Sequence, residues 1–360
     1  MKKKGKEYLT EKQRENDGPI AIDLDFRYSY NVDERQHTSE LIDDIVSEYL
    51  NVLKTIYQFD ESSKFYVFAL EKPSVNRVSE KNIMSLDTLN AQKSSGEINI
   101  IAVNSKGFSE LLNKHESYFS TLNELVSLTK GLDHLSGKYF SDYVFDMFSN
   151  IKKYGLISGP SFAKDLCFEK KISVSFATLD NKLSKLMVEA TKSSHFEMIP
   201  TTYIYQIEIA GIIKNIAAIL CGMADKYFSK GIHSNMIIKK ACQETWQRGI
   251  EIFNEHGIKI DNLNKDRNSI ITSPGCIGDM ILTCKQDQSR NYQFGKLIAD
   301  QDISIEDARS MVGTVEGYDS CITLVEKTQV SLGELTNLLY KIIKAENSQR
   351  ENLLKDFLQV

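Results

Sequence analysis

Residues 204 to 223 read as one long helix with almost no polar face. Ile209, Ile212, Ile213, Ile216, Leu220 and Met223 recur at helical spacing, and Ala210, Gly211, Ala217, Ala218 and Gly222 are small enough for close packing. A helix of this kind needs other elements around it, so the chain must build a body about this segment. Lys214 breaks the pattern. A lysine inside a buried helix is costly unless it is paired or loses its proton, and either condition suits acid–base work. The alternative is a lysine that snorkels from an exposed rim.

The surrounding sequence supplies such a body. Helical periodicity continues over 234–256, 304–311, 320–328 and 332–343, and a charged tail ends in the stripe Leu353, Leu354, Phe357 and Leu358, expected to pack on the body. Upstream the grammar alternates: strand at 98–103, helix at 108–122, strand at 125–128, helix at 139–151, strands at 155–158 and 172–177. This alternation predicts a largely parallel sheet flanked by helices. Further forward, 20–26 alternates apolar and acidic residues as a half-buried strand does, 39–57 has helical spacing, and 65–70 reads as a strand ended by Pro73.

With 360 residues, 41% hydrophobic and 26% charged, and 5 prolines, the composition is that of a globular chain. That length leaves room for about two compact domains. A formal net charge of -5 gives no global attraction to nucleic acid or an anionic membrane. No run of eighteen apolar residues occurs, so the expectation is a cytoplasmic protein without a membrane partner. Cys167, Cys221, Cys242, Cys276, Cys284 and Cys321 form no C-x-x-C pair and read as reduced, buried thiols.

Four segments in order carry a resemblance. They are Thr129-Lys130-Gly131-Leu132; Ser158-Gly159-Pro160-Ser161-Phe162-Ala163; Glu208-Ile209-Ala210-Gly211-Ile212-Ile213-Lys214-Asn215; and Gly278-Asp279 through Thr283-Cys284 with Ser289-Arg290-Asn291. Together they resemble the NAD(P)-dependent glycerol-3-phosphate dehydrogenase family over about residues 85–340. The resemblance implies exchange of sn-glycerol 3-phosphate and dihydroxyacetone phosphate with NAD or NADP as cofactor. It implies Lys214 as acid/base, with Lys130 and Asp279 catalytic beside it. It places Lys130, Gly159, Ser161, Lys214, Asp279, Thr283, Ser289, Arg290 and Asn291 around substrate, and Lys130, Ala163, Arg290, Thr314 and Glu316 around cofactor. Thr314 stands where the family usually has valine, before Val315-Glu316-Gly317. Read from the residues, Asp279 also suits a helix start, and Ser289 suits a helix cap with Arg290 offering a fork of donors to an anion.

The family opens with a G-x-G-x-x-G/A turn that seats the pyrophosphate on a helix N-terminus. Upstream of Ile98 the only glycines are Gly5, Gly18 and Gly96, so no such turn can be drawn. Residues 8–82 instead resemble the start of the primase of nucleocytoplasmic large DNA virus helicase-primases, on Gly18 through Tyr28, Arg35-Gln36-His37-Thr38 and Leu70 through Asn76. That resemblance implies Asp23 and Asp25 as a metal pair; no other metal site is expected.

The expected fold class is therefore an α/β partial Rossmann-like sheet followed by an all-α C-terminal domain, with a small α/β primase-like N-terminal segment. Its expected divisions are 1–83, 84–195, 196–345 and a tail at 346–360. Three functions follow as expectations: the dehydrogenase; an inactive fusion whose helical part binds a phosphate ester or forms a homodimer; and a primase-like nucleic-acid binder, ranked last.

Overall fold

The computed structural model describes residues 65–68, 98–160, 172–191, 196–228, 231–259, 263–328 and 333–360. Its sheet runs in chain order: β1 (Phe65–Phe68), β2 (Ile98–Ile101), β3 (Glu124–Ser127), β4 (Lys153–Ser158), β5 (Ile172–Thr178) and β6 (Phe196–Thr201). β1 to β4 are mutually parallel, β5 reverses against β4, and β6 is parallel to β5. One antiparallel pair thus interrupts the parallel sheet that the alternation predicts. β1 pairs in register with β2, Phe65 opposite Ile98 and Phe68 opposite Ile101, so the front of the chain lends a strand to this sheet. The strand expected at 20–26, the helix at 39–57 and the Asp23/Asp25 pair lie outside the described residues.

The helices on the sheet are α1 (Ser105–Lys114), α2 (Glu116–Phe119), α3 (Phe140–Met147) and α4 (Asn181–Ala190). The single helix expected at 108–122 is two, broken at His115, which ends α1 and starts α2. It begins early because Asn104 caps it, its side-chain oxygen accepting from Gly107 N at 2.8 Å. Neither α4 nor β6 is legible in the sequence. β6 is an edge strand with exposed Glu197 and Pro200, so its alternation is weak.

The helical half comprises α5 (Ile204–Tyr227), α6 (Ile232–Glu255), α7 (Leu263–Ile271), a π-helical turn at Pro274–Gly278, α8 (Asp279–Lys285), α9 (Arg290–Ile298), α10 (Ile305–Val312), α11 (Glu316–Lys327), α12 (Glu334–Lys344) and α13 (Arg350–Leu358). Residues Ile204 to Ala224 of α5 are all buried, which makes it the axle that the sequence demands. Its mean hydropathy of 1.7 would suit a membrane span, but the whole of that window is buried among the other elements. Each aliphatic side chain so buried contributes about 1.5–3 kcal/mol.

Glycines let α9 cross α5 at backbone contact. A Cβ added at Gly295 would lie 1.9 Å from the Ile219 carbonyl oxygen, and one at Gly222 would lie 2.1 Å from that of Tyr292. At the C-terminus the expected stripe does pack: Leu354 and Leu358 are buried and Leu353 and Phe357 are partly so. Arg350 anchors this helix by donating to the carbonyl of Ile298 at 3.1 Å. The five described cysteines are free and buried; Cys167 is outside the described residues.

Candidate active site

The cluster forms where the sheet meets α5. Lys130 follows β3, and its Nζ donates to Asp279 Oδ2 at 2.7 Å and to the Gly159 carbonyl at 3.2 Å. Lys214 donates from α5 to the same Asp279 oxygen at 3.0 Å. It is 9% exposed, so it is a buried, paired lysine and not a snorkelling one. One carboxylate oxygen therefore gathers two lysines from elements far apart in sequence.

The charges shape one another. Burial would raise Asp279, but the Lys130 and Lys214 charges hold it below the ordinary carboxylate range. For Lys130, burial outweighs the pull of Asp279, and with repulsion from Lys214 it brings the ammonium below its usual value. The result is an ionised carboxylate beside a lysine that gives up its proton more readily than a solvated one.

Behind Lys214 runs a relay of amides. Asn215 Nδ2 donates to Glu316 Oε2 at 3.0 Å, Asn291 Nδ2 donates to Asn215 Oδ1 at 3.0 Å, and Gly317 N donates to Asn291 Oδ1 at 2.9 Å. This chain ties α5 to the starts of α9 and α11. Asn291 thus commits its carboxamide to bracing, whereas the resemblance assigns it to substrate phosphate.

The remaining expected residues divide clearly. Ser289 is the N-cap of α9, accepting from Tyr292 N at 3.3 Å, as its sequence position suggests. Arg290 opens α9, with Nη1 3.8 Å from where a Cβ on Gly313 would sit. Thr283 lies one turn beyond Asp279 and donates to its backbone carbonyl at 2.7 Å. Gly159 is packed so that an added Cβ would meet Val174 Cα at 2.8 Å, which leaves its carbonyl facing Lys130. Thr314 is exposed; Ser161 and Ala163 lie outside the described residues. Sequence reasoning quoted Asn215 and Glu208 in a motif without giving either a task. Their partners are the missing information, since Asn291 and Ser141 are remote in sequence.

Comparison with known proteins gives matches over most of the chain. Residues 204–354 match the NAD-dependent glycerol-3-phosphate dehydrogenase C-terminus and residues 75–184 match the corresponding N-terminus. A glycerol-3-phosphate dehydrogenase [NAD(P)+] of Wigglesworthia glossinidia brevipalpis is 30% identical over 263 residues, covering 72% of this chain and 76% of that one. The chain belongs to the NAD(P)-dependent glycerol-3-phosphate dehydrogenase family.

Another member of the family, from Beijerinckia indica, is 29% identical over 222 residues, which is 62% of each chain. Solved glycerol-3-phosphate dehydrogenases share the fold. That of Coxiella burnetii superposes with a TM-score of 0.61 at 20% identity over 81% of this chain and 83% of its own. The yeast enzyme gives 0.65 at 15% identity over 86% of this chain and 95% of its own. Residues 1–89 match a family described as an N-terminal AEP domain, in keeping with the primase resemblance.

The family uses NAD(P), and the residues present fit the reacting end of such a cofactor. Gly211 lets the Lys130 stem lie against α5, an added Cβ being only 3.4 Å from Lys130 Cβ, while Asn215 holds the Glu316 carboxylate. For the pyrophosphate end, the sequence before β2 has no Gly-rich turn. Among the described residues no group of three or more His, Cys, Asp or Glu could hold a metal ion.

Proposed function

We propose that this chain interconverts sn-glycerol 3-phosphate and dihydroxyacetone phosphate at the Lys130–Lys214–Asp279 cluster. The observation that carries the reading is the convergence of both lysine Nζ atoms on one buried oxygen of Asp279. Bound here, an oxidised nicotinamide supplies the hydride acceptor.

Lys214 takes the proton of the C2 hydroxyl as the C2–H bond breaks, and returns it to the C2 oxygen in the reverse direction. Asp279 keeps the two lysine heads in register, and Lys130 stabilises negative charge that develops on the oxygen. Arg290 holds the phosphate ester at the Ser289-capped start of α9. Glu316, held by Asn215, faces the cofactor side.

The test is oxidation of NADH or NADPH by the folded chain with dihydroxyacetone phosphate. Lys214→Ala should lower turnover by roughly a thousandfold, within the range for loss of a general acid–base group. Equal turnover in wild type and variant would remove Lys214 from the reaction.

The absence of a Gly-rich turn in the sequence before β2 favours one other reading: a helical half that binds the phosphate ester without turnover. Calorimetric binding of glycerol 3-phosphate by a folded chain that oxidises neither dinucleotide would select it.

A further inference from the structure

Glu208 is a carboxyl that the proposed reaction does not use, yet it is buried at the centre of the molecule. Its oxygens accept from Ser141 N at 3.0 Å and from Ser141 Oγ at 2.5 Å, at the first turn of α3. Tyr139, the N-cap of α3, makes no side-chain cap, so Glu208 caps that helix from another element.

The capped turn is coupled back to the active site. Leu132 and Tyr139 form an antiparallel bridge, so the loop leaving Lys130 closes on itself just before α3. Ser141 stands two residues beyond one arm of that bridge, and Lys130 two residues before the other. The loop is stiffened inside by Asp133, which accepts from Ser109 Oγ at 2.7 Å and Ser136 N at 2.7 Å. Phe140 packs on Phe108 with ring centroids 4.1 Å apart and lies 3.7 Å from the position of a Cβ on Gly131.

On α5 the spacing is equally regular. Glu208 grips α3, Gly211 one turn on gives room to the Lys130 stem, and Lys214 one turn further meets Asp279. A row at i, i+3 and i+6 on one helix therefore touches both ends of the Lys130 loop and carries the other lysine.

We propose that Glu208 is a positioning residue, clamping α3 to α5 so that the Lys130 loop holds its ammonium on Asp279 beside Lys214. The inference rests on the reading of this cluster as the active site, although its test requires no turnover. Loss of the clamp leaves the Ser141 N–H buried without its acceptor and frees the arm of the loop that ends at Lys130.

The test is pulse labelling of lysines with trinitrobenzenesulfonate, read by peptide mass spectrometry, in the full chain and its Glu208→Ala and Glu208→Gln variants. Glu208→Ala should raise the Lys130 labelling rate about tenfold, the equivalent of one lost buried hydrogen bond, with exposed Lys182 on α4 unchanged. Glu208→Gln should restore the wild-type rate, because an amide can accept from Ser141 N and donate to Ser141 Oγ. A lower melting temperature in Glu208→Ala with Lys130 labelling unaltered would overturn the proposal and leave a purely structural cap. If Glu208→Ala does not fold, Ser141→Ala decides: faster Lys130 labelling supports the clamp and an unchanged rate overturns it. A wild-type chain without turnover would defeat the dehydrogenase reading alone, since the labelling comparison still stands.

Discussion

Two regions of this molecule are unlike each other. Around α5, Lys214, Asp279, Asn215 and Asn291 are buried and hydrogen-bonded to one another or to Lys130, on helices that cross at backbone contact. At the leading edge of the sheet, β1 comes from the segment that resembles a primase, and the sequence before β2 lacks the glycines of a pyrophosphate turn. The lysine cluster and the leading edge of the sheet are thus carried by different pieces of chain. The lysine cluster draws its partners from the loops after β3 and β4 and from α5 and α8, none of which belongs to the leading edge of the sheet.

That contrast can be broken at its strong end first. Asp279→Asn leaves buried Lys214 and half-buried Lys130 without their counter-charge, which should cost about 3–5 kcal/mol of stability in urea unfolding. Because Asp279 is held below its ordinary range, its contribution is present above about pH 4, and it should be lost as pH falls through the lowered folded value. A loss under 1 kcal/mol would mean that the cluster is not the rigid centre described above.

Arg290→Ala addresses whether the phosphate end works without the dinucleotide end. Affinity for glycerol 3-phosphate, measured by calorimetry without cofactor, should drop roughly tenfold to a hundredfold, as for loss of a hydrogen bond to a charged group. Gly295→Ala tests the crossing itself. Forcing a methyl against the Ile219 carbonyl should destabilise the fold by about 1–3 kcal/mol, read as a lower urea midpoint.

The last expected effect is a pH dependence of stability. Burial pushes Glu208 up to about 8 and Glu244, which accepts from Leu335 N at the start of α12, up to about 7. Each raised carboxyl contributes stability that is complete below its unfolded value near 4.5 and lost as pH rises through the folded one. Asp142, Tyr154 and Tyr205 face Glu208 and add to the shift or respond to it. Melting temperature should therefore decline between about pH 4.5 and about 8, and Glu244→Gln should flatten the lower part of that decline. An unchanged profile in Glu244→Gln would place the slope elsewhere.

Much of the fold was legible because local patterns were strong. β2, β3 and β5 carry Ile, Leu, Val or Phe in short strand-like stretches, and α5 announces itself by isoleucines at helical spacing with small residues between. β6 escaped because an edge strand with an exposed proline carries little pattern; for α8 and α9 the starts at Asp279 and Ser289 are legible but the lengths are not, because both helices are short. The reverse case is β1, whose strand character was readable although its partner was not. The register with β2 depends on which edge of the sheet was open.

The candidate site divides in the same way. The order and spacing of its motifs, and the conflict of a lysine inside an apolar helix, are properties of the sequence alone. That Lys214 resolves the conflict by sharing one oxygen of Asp279 with Lys130 was decided by tertiary structure, as was the binding of Asn291 to Asn215 and of Glu208 to Ser141. The physical reason is that a buried polar group specifies only that it needs a partner; which partner it meets is fixed by how distant elements pack.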